Sequence, residues 1–299
     1  MNNLISLVKR NIKIFYRTKG NIFFSLLAVL ILVALHFAIF RNMYTDNWVD
    51  ITSQITGLTI EREALAWLVD NLMLGAIIPI GAVTISLTTL GLMVADKEQD
   101  VLSDFLVSPI KRNTLLTSYL LSSFIISFSI LTLFTICFQF YFVATYGINL
   151  SILQFGFIMI AIIGSLAFAN IFILLIISYF KKQQTLTSFG TIIGTALGFL
   201  SGAYIPIGMF GETIGNIFSA LPFFQLTVLT RQAFLYELEN FTPLTQEMLT
   251  GEIARSFGME IWIGDTFIST RGAILISGSI TLILFVALIV RFSKMKKVD

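Results

Sequence analysis

Residues 189–234 read FGTIIGTALGFLSGAYIPIGMFGETIGNIFSALPFFQLTVLTRQAF, and no other stretch constrains the fold as much. As far as Ile207 the run is uncharged and built of apolar and small residues, long enough to cross a hydrocarbon core about 30 Å thick. Glycines and Glu212 follow, then a second apolar stretch interrupted by Pro222 and closed near Arg231. That second stretch is too short and too broken for a clean crossing. It reads as a helical hairpin over 208–236 that dips back into the membrane, so its backbone polar groups need shielding by protein or by a watery cavity. A crossing helix followed by a re-entrant hairpin narrows the function sharply.

The composition agrees. Hydrophobic residues make up 56% of the 299, charged residues only 12%, and there are 29 Phe; a soluble domain carries about twice that charged fraction. The single cysteine, Cys137, lies in an apolar run, so no intrachain disulfide forms. One His and one Cys cannot assemble an ordinary His/Cys metal site. No metal or cofactor is expected in this chain, and nothing in it points to nucleic acid.

Six uncharged stretches stand out: 21–40, 72–95, 115–146, 152–180, 189–207 and 272–290. The third and fourth exceed the roughly 20 residues that a perpendicular crossing needs, so they tilt or extend beyond the hydrocarbon. The fold class expected is an all-α polytopic membrane protein: six transmembrane helices, an N-terminal amphipathic interfacial helix and a re-entrant hairpin between spans five and six. No repeat or low-complexity linker divides the chain, so 1–299 is expected to be one membrane domain.

Lys and Arg orient it. With both termini cytoplasmic, the inner segments hold Lys9, Arg10, Lys13, Arg17, Lys19, Lys97, Lys111, Arg112, Lys181, Lys182, Arg291, Lys294, Lys296 and Lys297. The outer segments hold Arg41, Arg62, Arg231, Arg255 and Arg271, together with most of the acids, Asp70 among them. Residues 237–271 then form an extracellular segment. In 1–19, Leu4, Ile5, Leu7, Val8, Ile12 and Phe15 approximate one helical face and the cations the other. This is the pattern of a basic helix on the inner membrane surface, or simply of topology-setting charge.

The loop between spans two and three, 96–114, lies within ADKEQDVLSDFLVSPIKRNTLL. Asp96, Glu98 and Asp100 suit a helix start; Val101, Leu102, Phe105 and Leu106 make its apolar face; Pro109 stops it, and Lys111 and Arg112 follow. The face needs something to pack on, either lipid headgroups or a groove in a soluble partner.

This loop resembles the coupling segment of type-2 ABC-transporter permeases, the membrane subunits of ATP-driven exporters. The matching residues are Lys97, Glu98, Leu102, Phe105, Leu106, Ser108, Pro109 and Arg112, with Asp100 and Val101 between them. The fifth span and hairpin resemble the second family pattern through Ser201, Gly202, Pro206, Leu221, Pro222, Phe223 and Arg231. Gln99 and Asp100 stand where the family often has Gly-Thr, and Thr117 and Ser118 where it often has Gly-Lys, which leaves the subfamily open. The resemblance implies a permease of the drug, peptide or lipophile export branch in a bacterial cell membrane. It implies a second permease subunit, identical or related, and two copies of an ATP-binding-cassette subunit that carry ATP and Mg and push on the coupling helices. It also places the re-entrant hairpin, with Pro206, Leu221, Pro222, Phe223 and Arg231, at the exit. The chain has no G-x-x-x-x-G-K-[ST] and no cytoplasmic segment large enough to bind nucleotide, so it is not an enzyme by itself.

Gly190, Gly194, Gly198 and Gly202 recur every four residues and predict a ridge for close helix packing, within the subunit or at a dimer interface. The spans as drawn contain no Asp, Glu, Lys or Arg, which disfavours a proton-coupled carrier. His36 is expected to be packed or near the outer interface, and Thr84, Ser86, Thr88 and Thr89 to be satisfied by their own helix. Uncharged walls favour a lipophilic or amphiphilic cargo. A polysaccharide or lipid-linked glycan path would favour exposed Trp and Tyr, whereas Trp48, Trp67 and Trp262 fall outside the drawn spans. The alternative class is a non-transporting membrane sensor or assembly protein with a permease-like fold.

Overall fold

A computed structural model describes residues 2–56, 61–107, 110–237, 254–255 and 257–293. The chain is mostly helical. The helices are α1 Asn2–Arg17, α2 Lys19–Leu35, α3 Arg41–Thr56, α4 Arg62–Glu98, α5 Val101–Val107, α6 Arg112–Tyr146, α7 Ile152–Ile177, α8 Gln183–Leu200, α9 Glu212–Ala220, α10 Pro222–Phe234 and α11 Thr270–Ser293. A π-helical turn, His36–Phe40, joins α2 to α3 without a break. A two-stranded antiparallel ribbon, β1 Ile261–Ile263 and β2 Thr266–Ile268, pairs Trp262 with Phe267 and departs from the all-helical expectation.

Among the described residues, five helical runs are long and apolar enough to cross a membrane: Lys19–Asp50, α4, α6, α7 and α11. The pair α9 and α10 is bent by 84° at Leu221, the geometry of a broken span or a re-entrant loop. Pro222 occupies the first turn of α10, where its missing N–H costs nothing and its fixed φ starts the helix. Among the described residues the architecture is helical in every element but the short ribbon, consistent with a polytopic membrane protein.

α4 is the axis of the bundle. It is apolar on every face, so it belongs inside rather than at the surface, and α2, α3, α6, α7, α8 and α10 all pack on it. By contrast α2 and α11 expose Phe23, Phe24, Leu275 and Leu282, the chemistry of a lipid-facing surface. Glycines on α4 set how closely its neighbours approach. A Cβ on Gly75 would stand 2.7 Å from Arg231 Cα and 2.8 Å from Arg231 N, so the backbone of α10 rests directly on α4 there.

The fifth stretch differs from its sequence reading. The helix begins earlier, at Gln183, and ends at Leu200 rather than at Ile207. Gly202 adopts φ +65, a left-handed conformation that glycine adopts without steric cost. The N–H groups of Ala203 and Tyr204 both donate to Gly198 O and close the end. Gly202 is therefore a cap and not the fourth member of a helical ridge. Of the other three, Gly190 packs on Leu87 and Gly198 on the Tyr204 ring, while Gly194 faces open space. α1 lays Leu7, Val8, Asn11 and Phe15 inward and leaves Lys9, Lys13 and Arg17 exposed; its main packing partner is α6.

Gly75→Ala is expected to lower stability by about 1–3 kcal/mol, the usual cost of overpacking, because backbone rather than a flexible side chain stands in the way. Gly156→Ala on α7, where a Cβ meets nothing within 4 Å, is the control. Thermal unfolding of both variants in detergent checks this; equal midpoints would mean that α10 does not rest on Gly75.

Candidate functional site

The connection from α4 through α5 to α6 is built on three joints. In the first, Asp96, near the end of α4, is 3% exposed. Arg10 of α1 grips it with two hydrogen bonds, Nη1 to Oδ2 at 2.8 Å and Nη2 to Oδ1 at 2.7 Å, and the Tyr119 hydroxyl of α6 donates to Oδ2. A bidentate guanidinium–carboxylate pair fixes orientation as well as distance. The Asp96 hydrogen bond holds the Arg10 guanidinium above its ordinary range, against the lowering effect of burial. Arg10 also lies 5.2 Å from the Phe105 ring centroid, within reach of a cation–π contact. One side chain thus touches α4 and α5 while carrying α1.

The other two joints use consecutive residues. Lys97 Nζ donates to the carbonyls of Ser178 at 2.7 Å and Phe180 at 3.3 Å, at the end of α7. Glu98 Oε2 accepts from the Gln183 N–H at 2.9 Å, at the start of α8. A cation at a helix C-terminus and an anion at an N-terminus each complement the backbone dipole. Two adjacent side chains of opposite sign therefore bind the two ends of the α7–α8 turn. The Gln183 amide adds a bond to Gly91 O.

Upon this platform sits α5. Asp100 has φ 58, a left-handed conformation more accessible to Asp than to most residues. It turns the chain so that Leu102 is buried and Phe105 half-buried against the bundle. The expected exposed apolar face is therefore largely turned inward, because the bundle itself supplies the groove. Lys97 is likewise tied to α7 and not displayed. What faces outward is Gln99, Asp100, Asp104, Val107 (75% exposed) and Lys111. Val101 and Arg112 are half-buried. Ser108, Pro109 and the side chain of Leu106 lie outside the described residues.

At the opposite end of α4 a second carboxylate is enclosed. Asp70 accepts from Tyr146 at 2.6 Å, Tyr141 at 2.9 Å and Arg41 Nε at 3.2 Å, and His36 Nε2 lies 2.7 Å away. The uncharged-span reading missed this because α4 starts ten residues before the drawn span. The Asp70 partners lie 29 to 76 residues away in sequence, so no local pattern announced them. Trp48 and Trp67 are also inside span-length helices, and both are buried.

Arg231 is the third enclosed charge. Its Nε donates to Leu72 O at 3.0 Å, Nη1 to Phe257 O at 2.9 Å and Gly258 O at 3.2 Å, and Nη2 to Gly202 O at 3.2 Å. The guanidinium is solvated by backbone carbonyls of α4, the turn after α8 and the segment before the ribbon. A Cβ on Gly258 would sit 2.4 Å from Nη1. Phe223 is buried, Leu221 is 36% exposed at the bend, and Pro206 caps the start of the 3-10 turn Ile207–Phe210. The structure thus brings Gly202 and Arg231 together, as two of the hairpin residues singled out in the sequence. Of the side chains that do the joining, sequence reasoning read Arg10 as surface charge, Asp96 as a helix-start acid and Tyr119 not at all. Among the described residues no His, Cys, Asp and Glu cluster has metal-ligand geometry.

A double-mutant cycle with Arg10→Ala and Asp96→Asn is expected to return a coupling energy of about 1–3 kcal/mol in detergent stability, as for paired side chains in one network. Additive effects would show that Arg10 does not hold Asp96.

The family model described as ABC-2 type transporter matches residues 2–235, which include all three joints, the enclosed charges Asp70 and Arg231, and the bent pair. No curated protein matches the chain. The family match covers more than half of the sequence, and the multi-span helical fold agrees with it. The chain belongs to the ABC-2 type transporter family and is a permease subunit of an ABC transporter.

Proposed function

We propose that this permease is the membrane half of an ATP-driven exporter, and that α5 is where the ATP-binding subunit pushes. The observation that carries the reading is the mounting of α5. A helix of seven residues is too short to hold itself, yet Leu102 and the Arg10–Phe105 contact fasten it to α1 and α4, and Lys97 and Glu98 tie its base to α7 and α8. Force applied to its exposed side reaches four long helices at once. Asp104 and Val107 are the contacts offered to the partner. ATP and Mg belong to that partner, present in two copies beneath two permease subunits, identical or related. The open face at Gly194 supports α8 as part of the contact between permeases.

Both termini and α5 are cytoplasmic in this arrangement, α8 completes a sixth crossing, and α9–α10 re-enters from the outside. The concentration of Lys and Arg at the α5 end supports the orientation. Amphiphilic cargo remains the favoured class. The charges found inside the helices, Asp70, Asp96 and Arg231, are each satisfied by protein groups and offer none of the free charge that a polar ionic solute needs.

Single cysteines replacing Asp104 and Asp265, both exposed, in a Cys137→Ser background are expected to react with an impermeant maleimide from opposite sides of the membrane. Reaction from one side would overturn the topology. Val107→Asp should weaken association with the ATP-binding subunit about tenfold, since burying a Val is worth about 1.5 kcal/mol or more. In the reconstituted wild-type complex, amphiphiles should stimulate ATPase activity and hydrophilic glycans should not. Unchanged association in Val107→Asp would remove α5 from the docking surface, and stimulation by glycans alone would reject the cargo class.

A further inference from the structure

A trench of about 960 Å³ runs between α7, α10 and α11. Its floor is made of small residues. A Cβ on Gly278 would meet nothing within 4 Å, and one on Gly164 would reach only Leu226 at 4.0 Å, so both glycines face open space. Its rims, Ile160 and Ile274, are 66% and 55% exposed, so the trench opens sideways, toward what would be lipid.

The lining is mostly apolar: the hydroxyls of Ser277 and Thr281 are spent on carbonyls of their own helix, whereas Gln232, Glu260 and Thr270 gather at the end where α11 begins. From Thr270 to Thr281 the lining covers about 16 Å of helix. That is about half of a 30 Å hydrocarbon core. The trench is therefore one leaflet deep. A crossing protein helix would need both leaflets, and its outer half alone would leave the rest unpacked. Water gains too few polar partners from these walls to fill the space, and an empty trench forfeits dispersion contacts along its whole lining.

We propose that the trench is a lipid site. It holds the acyl chains of one phospholipid of the leaflet at the α11 start, with the headgroup over Gln232, Glu260 and Thr270. The Glu260 carboxylate at the rim suits an ammonium headgroup. This rests on the proposed function only in taking the chain to lie in a bilayer; it needs neither the ATP-binding subunit nor transport, so the two readings fail separately.

The test uses the full chain in vesicles containing a phosphatidylethanolamine with a diazirine in mid-chain, irradiated and mapped by peptide mass spectrometry. Peptides carrying Gly164 and Gly278 should be labelled about fivefold more than the lipid-facing α6 peptide with Leu133 and Phe140, equivalent to a preference of about 1 kcal/mol. Gly278→Phe and, independently on another helix, Gly164→Phe should each lower trench labelling to the α6 level. Val286→Phe, on the exposed face of α11 away from the trench, should leave it unchanged. Labelling no greater on the trench than on α6, or undiminished in a correctly assembled Phe variant, overturns the proposal.

Discussion

Two carboxylates on one helix organise this membrane protein. Asp70 and Asp96 lie near the two ends of α4, about 39 Å apart along its axis, close to the full thickness of a bilayer with its headgroup regions. Neither sits at mid-depth, where an ionised group is most costly. Each is nevertheless buried, and a buried carboxylate must be paired and hydrogen-bonded to be tolerated. That requirement draws in His36, Arg41, Tyr141 and Tyr146 at one end, and Arg10 and Tyr119 at the other. The same two clusters thereby pin α1, the α2–α3 run and α6 onto α4. Between them the contact is mostly apolar; a Thr89–Ser123 hydroxyl pair joins α4 to α6, and Asn11 of α1 bonds Ser122 and the Ser118 carbonyl of α6.

The hairpin side obeys the same constraint with the opposite charge. Arg231 is answered by carbonyls that have no helical partner, at Gly202 and Phe257–Gly258, and by Leu72 O inside α4. One side chain solves two problems at once: it satisfies backbone acceptors at irregular turns, and those acceptors solvate its charge. Glycines at 75 and 258 are needed because the guanidinium and its backbone come too close for a Cβ.

These joints give the family assignment a mechanical content. α5 is not a helix waiting for a groove. It is already docked in one, with its remaining surface turned away from the bundle, and Lys97 and Glu98 make the α7–α8 turn part of the same mount. Through these contacts α5 and the α7–α8 turn are fastened to the same end of α4.

The sequence by itself determined the class of protein. Uncharged runs at 72–95, 115–146, 152–180 and 272–290 are each long enough to span lipid. The glycines and Pro222 after Ile207 marked a broken stretch, although the helix before it ends at Leu200 and not at Ile207, and the acid–apolar order of 96–106 marked a short amphipathic helix. These are local signals, carried by composition and period. Only the tertiary structure decided which faces of those elements are used. Leu102 turns inward because the bundle itself supplies a groove for it. Gly202 leaves the ridge because the chain needs a left-handed cap there. Asp70 finds partners up to 76 residues away that no spacing rule connects. Pairing of buried charge is a property of three-dimensional proximity, and sequence period carries no record of it.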